Sequence, residues 1–343
     1  MKKRDLSKIS IKFFEKISST VITILVLIVI FIILQIYLPI NPTSHENIVF
    51  TVEKGWSDDQ IASKLEELKI IRSSLFFQFY AIVSLKHSSL QAGEYNISPK
   101  MSTYTIVNKM AKGDVIKDKV VILEGWNIKD IAEYLELKEI CKKEYFTSLT
   151  KIDYSAQFNF LKDAPKKAGI EGYIFPDTYQ IAKGESCEDI IDITLKNFDK
   201  KLTPELRVEI IKQKKTIFDI IIMASMIEKE VRTTEDKKIV SGILWKRLSV
   251  GMPLQLDATV NYITGKNDPG AKIKDTKIDS PYNTYKYAGL PKGPISSPGI
   301  NSIMAAIYPK KTSYWYYMTD GVTIFSETFA QHKAAIANYK ASK

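Results

Sequence analysis

The sequence predicts an α+β protein held to a membrane by a single N-terminal transmembrane helix, with a small α+β domain beyond the helix and a larger α+β domain after that. Three observations carry the prediction. Residues 21–38 form an apolar run, long enough to cross a hydrocarbon layer of about 30 Å as a helix. A strand–turn–helix pattern occurs twice, its copies offset by 70 residues. Beyond residue 170, helical periodicities alternate with loops rich in Gly, Pro, Tyr and Asn and end in a short ribbon. Apolar residues make up 45% of the 343 and charged residues 26%, the balance of a folded rather than a disordered chain, and the length suits about two domains.

Residues 1–20 carry six basic and two acidic side chains and read as a cytoplasmic tail. Residues 21–40 read as the anchor, since Val21 to Leu38 is interrupted only by Thr23 and Gln35. No Lys or Arg follows until Lys54, and an excess of cations before a span keeps that end in the cytoplasm. The rest is therefore expected outside a cell membrane crossed once. A cleaved signal peptide is the competing reading, but the apolar run exceeds a usual signal core and no small-x-small site follows it. With +4 of the formal +10 left inside, the exported part carries +6, which suits lipid headgroups or an acidic wall polymer. No nucleic-acid motif or phosphate-cradling glycine loop is visible. His45, His87 and His332 are too scattered for a His-based metal site, so no cofactor, no metal and no nucleic-acid partner is expected. Cys141 and Cys187 lie on the oxidising side under this topology, where they can pair or remain two buried thiols.

Residues 41–118 form the first exported unit. Asn41 to Asn47 is a polar tether. The segments Lys54–Ile70 and Glu124–Ile140 then share Gly, Trp, Ile, Ala, Leu, Glu and a final Ile at matching positions. Each follows a strand-like run, Ile48–Val52 or Lys119–Leu123. Each turns at Gly, caps a helix with Ser57 or Asn127, and buries an Ile-Ala-x-x-Leu stripe. Two copies are too few for a solenoid. Between them, Gln91 to Ile97 reads as a turn into a strand and Thr103 to Met110 as a helix that stops at Lys112-Gly113-Asp114. In pattern this unit is LysM-like: it resembles a compact strand–helix–helix–strand module that grips glycan chains in other proteins. Trp56 and Trp126 offer broad faces for stacking on sugars, or pack against their own helices.

Residues 119–343 form the larger domain. The Lys-rich stretch 142–170 reads as irregular, a boundary or a flexible insert. Glu171-Gly-Tyr-Ile-Phe-Pro-Asp-Thr-Tyr179 gathers groups that stack on or hydrogen-bond to a polyol, and Pro176 argues against a central strand. Helices are expected at Asp189–Phe198 and Pro204–Gln213. Thr216 to Val231 follows, apolar for most of its length and ending in two acids, its start capped through Thr216 or Asp219. Glu228 shares a face with Ile221, Ala224 and Ser225. A carboxyl group against apolar walls has a raised pKa and can hold a proton to donate near neutral pH. Glu230 lies about 200° around the helix. Alternatively, Glu228-Lys229-Glu230 is only the solvated tip of a core helix. Another helix spans Asp236 to Val250. The loops that follow, Gly251 to Tyr262, Ser280 to Tyr285 and Gly289 to Gly299, have the composition of binding loops. Ile300 to Ile307 is helical, Tyr314–Thr319 and Thr323–Phe325 form a ribbon turning at Asp320-Gly321, and a helix from Thr328 to Tyr339 closes the chain.

Taken together, Glu171–Tyr179, Ala224-Ser-Met-Ile-Glu-Lys-Glu230, Gly251-Met-Pro-Leu-Gln255 with Asp257, Ser280-Pro-Tyr-Asn-Thr-Tyr285 and Gly289-Leu-Pro to Pro298-Gly299 resemble the YceG-like family of membrane-anchored endolytic murein transglycosylases. The likeness runs from the anchor to the C-terminus. It implies cleavage of the MurNAc–GlcNAc bond within peptidoglycan glycan strands, leaving 1,6-anhydroMurNAc ends, with one glutamate acting as acid and then as base. The family's catalytic glutamate is carried onto Glu228, with Glu230 as the fallback. Gln255, Asp257, Tyr282, Asn283, Tyr285, Tyr173 and Asp177 become candidate substrate-binding residues, with Glu171 a supporting partner. Each can equally be a loop-stapling hydrogen bond. Two positions depart from the family pattern: Thr323 stands where a His is expected in the ribbon, and Gln331-His332 replaces a Glu-His pair. A hydrolytic muramidase using Asp257 or Asp177 as second carboxylate, and a non-catalytic wall-binding scaffold, stay open. A peptidoglycan synthase is a further expected partner.

Overall fold

The structure, a computed structural model, describes residues 4–266 and 271–341, with side chains from residue 19 onward. It is a mixed α+β fold that divides into two compact units, residues 1–118 with 180–184, and residues 119–179 with 185–343.

The first unit begins with α1 (Arg4–Tyr37), of which Ser19–Tyr37 has the length and composition to cross a membrane. Then come β1 (Ile48–Val52), α2 (Asp58–Glu67), α3 (Ser74–Val83), β2 (Gly93–Ile97) and α4 (Thr103–Ala111). The strands are antiparallel, with Ile48 opposite Ile97 and Val52 opposite Gly93. Phe50, Ile61, Leu65, Phe77, Tyr95 and Ile106 make a core that Ile36, near the end of α1, also enters. No helix is predicted over Ser74–Val83, because its apolar residues run almost all the way round and leave no polar face for a periodicity to reveal.

Strands β3 (Lys117–Val121) and β4 (Thr178–Ala182) pair. Between them in sequence lie α5 (Ile128–Leu137) and α6 (Lys143–Leu149). The stretch 142–170, expected to be irregular, is instead well anchored. It holds α6 and a 3-10 turn at Asn159–Leu161, with Phe146, Phe158, Phe160 and Leu161 buried. Its lysines dominate the composition, but the aromatic residues between them set the packing. Cys141 and Cys187 form a disulfide, Cα atoms 5.7 Å apart, tying the end of α5 to the start of α7 (Cys187–Lys201).

After α8 (Pro204–Lys212) comes α9 (Ile217–Glu230), the buried axis of the second unit. Every residue from Ile220 to Ile227 is buried. Such a helix gains little from solvent and depends on its ends, and Thr216 and Asp219 satisfy its first amides through a capping box. Helices α10 (Thr234–Ser249), α11 (Asp257–Thr264) and α12 (Ile300–Ile307) pack around it. The ribbon of β5 (Tyr316–Asp320) and β6 (Val322–Ser326) turns at Gly321, and α13 (Phe329–Ala341) ends the chain.

Candidate active site

The end of α9 carries two acids that face different surroundings. Glu228 is not set against apolar walls, as its helical face suggests, but in a nest of donors. Lys237 Nζ approaches Oε1 at 2.8 Å, with the two side chains only 7% and 4% exposed. Oε2 accepts from the backbone N–H of Gly299 at 2.9 Å and from the Ser302 hydroxyl at 2.7 Å. Gly299 is the N-cap of α12 and has no side chain to cap with, so Glu228 supplies the acceptor that the helix start needs. One carboxylate thereby joins α9, α10 and α12. A Cβ on Gly299 would come within 1.9 Å of Glu124 Oε1, so a larger residue there would have to displace the Glu124 side chain.

Glu230 points the other way. The Tyr317 hydroxyl of β5 donates to its Oε2 at 2.9 Å, and the first turn of α11 adds the Ala258 N–H. Burial dominates and pushes its pKa up to about 7; the neighbouring Asp257 charge pushes the same way, while Tyr317, the Ala258 amide and Arg247 pull against them. Glu230 nevertheless keeps some accessible surface. It is thus an acid with a pKa near neutrality in a residue that, like Glu228, is half-buried.

Two staples build the wall beside it. Arg247 of α10 donates to the carbonyls of Leu254 and Trp315 and lies over the Tyr316 ring, fixing both the loop before α11 and the approach to β5. Thr284 accepts from the Leu256 N–H at 2.9 Å and meets the Thr259 hydroxyl at 2.9 Å. That sets Tyr285 so that its hydroxyl donates to Asp257 Oδ1 at 2.6 Å. Gln255 adopts a left-handed φ of 55° and is exposed, two positions before Asp257. A non-glycine residue held there costs about 1–3 kcal/mol, and such strain tends to cluster at functional sites.

The remaining predicted residues divide. Tyr282 packs on Tyr262, ring centroids 5.0 Å apart, next to Glu171. Glu171 accepts from the Ile128 amide at the start of α5 and from the Tyr262 hydroxyl, and burial raises it to about 7 in spite of those donors. Asn283 is fully buried and bonds the Thr276 and Ile278 carbonyls, a loop staple rather than a surface contact. Tyr173 is also fully buried, stacked on Phe160 and edge-on to Phe198, which removes it from any surface a sugar could touch. Asp177 bonds Asn197 and pairs with Lys201. Thr323, where the family pattern has His, donates to Asp236 in the first turn of α10. His332 stacks on Tyr316, with its pKa lowered by burial and by Arg247. Sequence reasoning missed Tyr317, Arg247, Lys237, Ser302 and Thr284; only Thr284 lay inside a motif that was singled out. A concavity of about 530 Å³ bounded by Tyr314, Phe325, Gln331 and Asn338 holds none of these acids and plays no part in the assignment.

The end of α9 thus carries one carboxyl group held by three donors and one raised toward neutrality, both beside preorganised polar loops. The chain belongs to the YceG-like family, whose sequence profile matches residues 50–338. It is 30% identical over 342 residues to an endolytic murein transglycosylase of Streptococcus pneumoniae, covering 91% of this chain and 62% of that protein. It is 32% identical over 320 residues to an endolytic murein transglycosylase of Bacillus subtilis, covering 89% of this chain and 88% of the relative. The chain thus spans about three-fifths of the length of the streptococcal relatives. Among solved structures, a yceG-like protein from Listeria monocytogenes matches with a TM-score of 0.57 and 34% identity, over 85% of this chain and 100% of that one.

Proposed function

We propose that this protein is an endolytic lytic transglycosylase of peptidoglycan, retained in the cell membrane by α1 with its second unit outside, and that Glu230 is its acid and base. The observation that carries the reading is the setting of Glu230: a carboxyl group raised to about 7 in a half-buried residue, beside Asp257 and two tyrosine hydroxyls. The activity named for the pneumococcal and Bacillus relatives supports it. Glu228 is the less suited of the pair, because its oxygens are already committed to an ammonium, an amide and a hydroxyl.

In the proposed reaction, protonated Glu230 gives its proton to the glycosidic oxygen as the bond from the anomeric carbon of MurNAc breaks. The sugar's own 6-hydroxyl attacks that carbon, and its proton returns to the Glu230 carboxylate. Atoms balance without water, and one acid suffices where hydrolases use a pair. Asp257, fixed by Tyr285, places negative charge near the positive charge that develops on the ring. Gln255 and Tyr282 are proposed to position the strand. The strand–helix–helix–strand order of the first unit supports a LysM-like role in holding glycan, and a tethered site favours strands emerging from a peptidoglycan synthase.

Mass spectrometry of glycan strands treated with the intact chain and with Glu230→Gln tests the reading. Anhydro ends made by the former and reduced about 10²–10⁴-fold in the latter are expected. Products heavier by one water would make the enzyme a muramidase. Undiminished anhydro ends from Glu230→Gln would move the chemistry to another group.

A further inference from the structure

The first unit exposes an apolar stripe that a water-facing domain would not carry. Leu75, Phe79, Ile82 and Val83 of α3 fall at the spacing of one helix face, and all are exposed, Leu75 by 67%. Leu85, just beyond the helix, is 91% exposed in a left-handed conformation. The opposite face of α3, with Phe77, Tyr80 and Ala81, is the one that enters the core.

What covers the stripe follows from its place beside α1. Phe76, on the flank of the stripe, meets Phe31 edge-on at 5.7 Å. Tyr37 stacks on Tyr104 at 5.1 Å, with both rings partly exposed. Arg72 donates to the Pro39 carbonyl at 2.8 Å. These contacts, at Phe76 of α3, at Arg72 just before it and at Tyr104 of α4, hold this part of the first unit against the last turns of α1. Lys16 is the last cation before the apolar run, and about 20 residues are needed to cross the hydrocarbon. The crossing therefore ends near Tyr37, with Tyr37 and Tyr104 as the aromatic belt at the headgroups. Phe31 lies six residues before Tyr37, about 9 Å along the helix and inside the apolar layer. A helix that touches Phe31 is at the same depth.

We infer that α3 is a second membrane element, lying in the outer-leaflet boundary with its Leu75–Phe79–Ile82–Val83 face in lipid, so that the first unit rests on the bilayer instead of swinging free on the anchor. This rests on the reading that α1 is retained as a span. An apolar helix face buried to this depth is how interfacial helices bind, its strength growing with the apolar area removed from water.

The native cysteines are paired, so an added one can be labelled specifically. Full-length chains carrying an environment-sensitive fluorophore at Leu75→Cys, Phe79→Cys, Leu27→Cys or Glu67→Cys are reconstituted in phosphatidylcholine–phosphatidylglycerol vesicles. Blue-shifted emission, lost on adding lipids with a quencher on the acyl chain, is expected at positions 75, 79 and 27, and water-like emission at 67. Quenching at 27 with water-like emission at 75 and 79 would overturn the inference and leave the anchor standing. Water-like emission at 27 would overturn both. Blue-shifted but unquenched labels at 75 and 79, together with disulfide-linked dimers of the unlabelled Leu75→Cys or Phe79→Cys chains, would assign the face to a second copy of this chain, and would equally overturn it.

Discussion

Glu228 and Glu230 stand two residues apart on one helix, yet their surroundings are opposite. Glu228 is enclosed with a lysine, an amide and a hydroxyl, and its contacts join three helices. Glu230 meets one phenol and one amide, and burial raises it to about 7. The lesson is that burial alone does not decide whether an acid is free to exchange a proton. What matters is how many of its lone pairs the fold has already committed.

The sharpest way to break this contrast is Lys237→Met. It strips the ammonium from Glu228 and leaves a charge enclosed without its partner, which typically costs about 3–5 kcal/mol. Chemical denaturation should show a loss of that size. Glu230→Gln, which removes an acid whose ionised form is disfavoured by burial, should leave stability above pH 7 equal or higher. If both substitutions destabilised alike, the two acids would not differ in the way described. The pH profile of cleavage separates them further: with Glu230 as donor, activity falls as pH rises through about 7.

Glu171 offers the next largest effect. Its pKa is raised from 4.5 to about 7, so the folded state binds a proton that the unfolded chain releases. The associated stability is complete below about pH 4.5, declines as pH rises, and is gone above about 7, with a ceiling of about 3 kcal/mol. The intact chain should therefore lose more stability between pH 5 and 8 than Glu171→Gln does. Tyr317→Phe should do less. Its hydroxyl favours the ionised form of Glu230, so removing it moves the alkaline limb of the activity profile upward by about one pH unit.

How far the sequence discloses this arrangement depends on separation along the chain. The caps at Ser57, Asn127 and Thr216 are legible because donor and acceptor lie three residues apart. The angular offset of the two acids is legible because helix geometry is local. The partners that decide their roles are not. Gly299 and Ser302 reach Glu228 from 71 and 74 positions away, and Tyr317 reaches Glu230 from 87. Tyr173 and Asn283 mislead for the same reason: their residue types suit sugar binding, and only the tertiary packing shows that both are enclosed.

The repeat turns this distinction into the smallest and most local test. Its two copies agree in detail. Both helices carry a capping box, both bury Ile-Ala-x-x-Leu, and both end with a left-handed residue, Lys69 or Glu139. They differ in what stands behind the cap. The turn of the second copy exchanges backbone hydrogen bonds with Ser297, and Glu171 accepts from the first amide of its helix. In the first copy, a Cβ at Gly55 would meet nothing within 4 Å. Losing a cap costs about 1 kcal/mol, so Ser57→Ala should speed exchange of the Gln60 amide about fivefold. Asn127→Ala should speed exchange of the Asp130 amide by less, because Glu171 still anchors the start of that helix. Adding Glu171→Gln to Asn127→Ala should restore part of the difference, since an amide oxygen is a weaker acceptor than a carboxylate. Equal acceleration at the two caps, with or without that second change, would show that the copies are energetically alike and that the contacts around the second one add nothing.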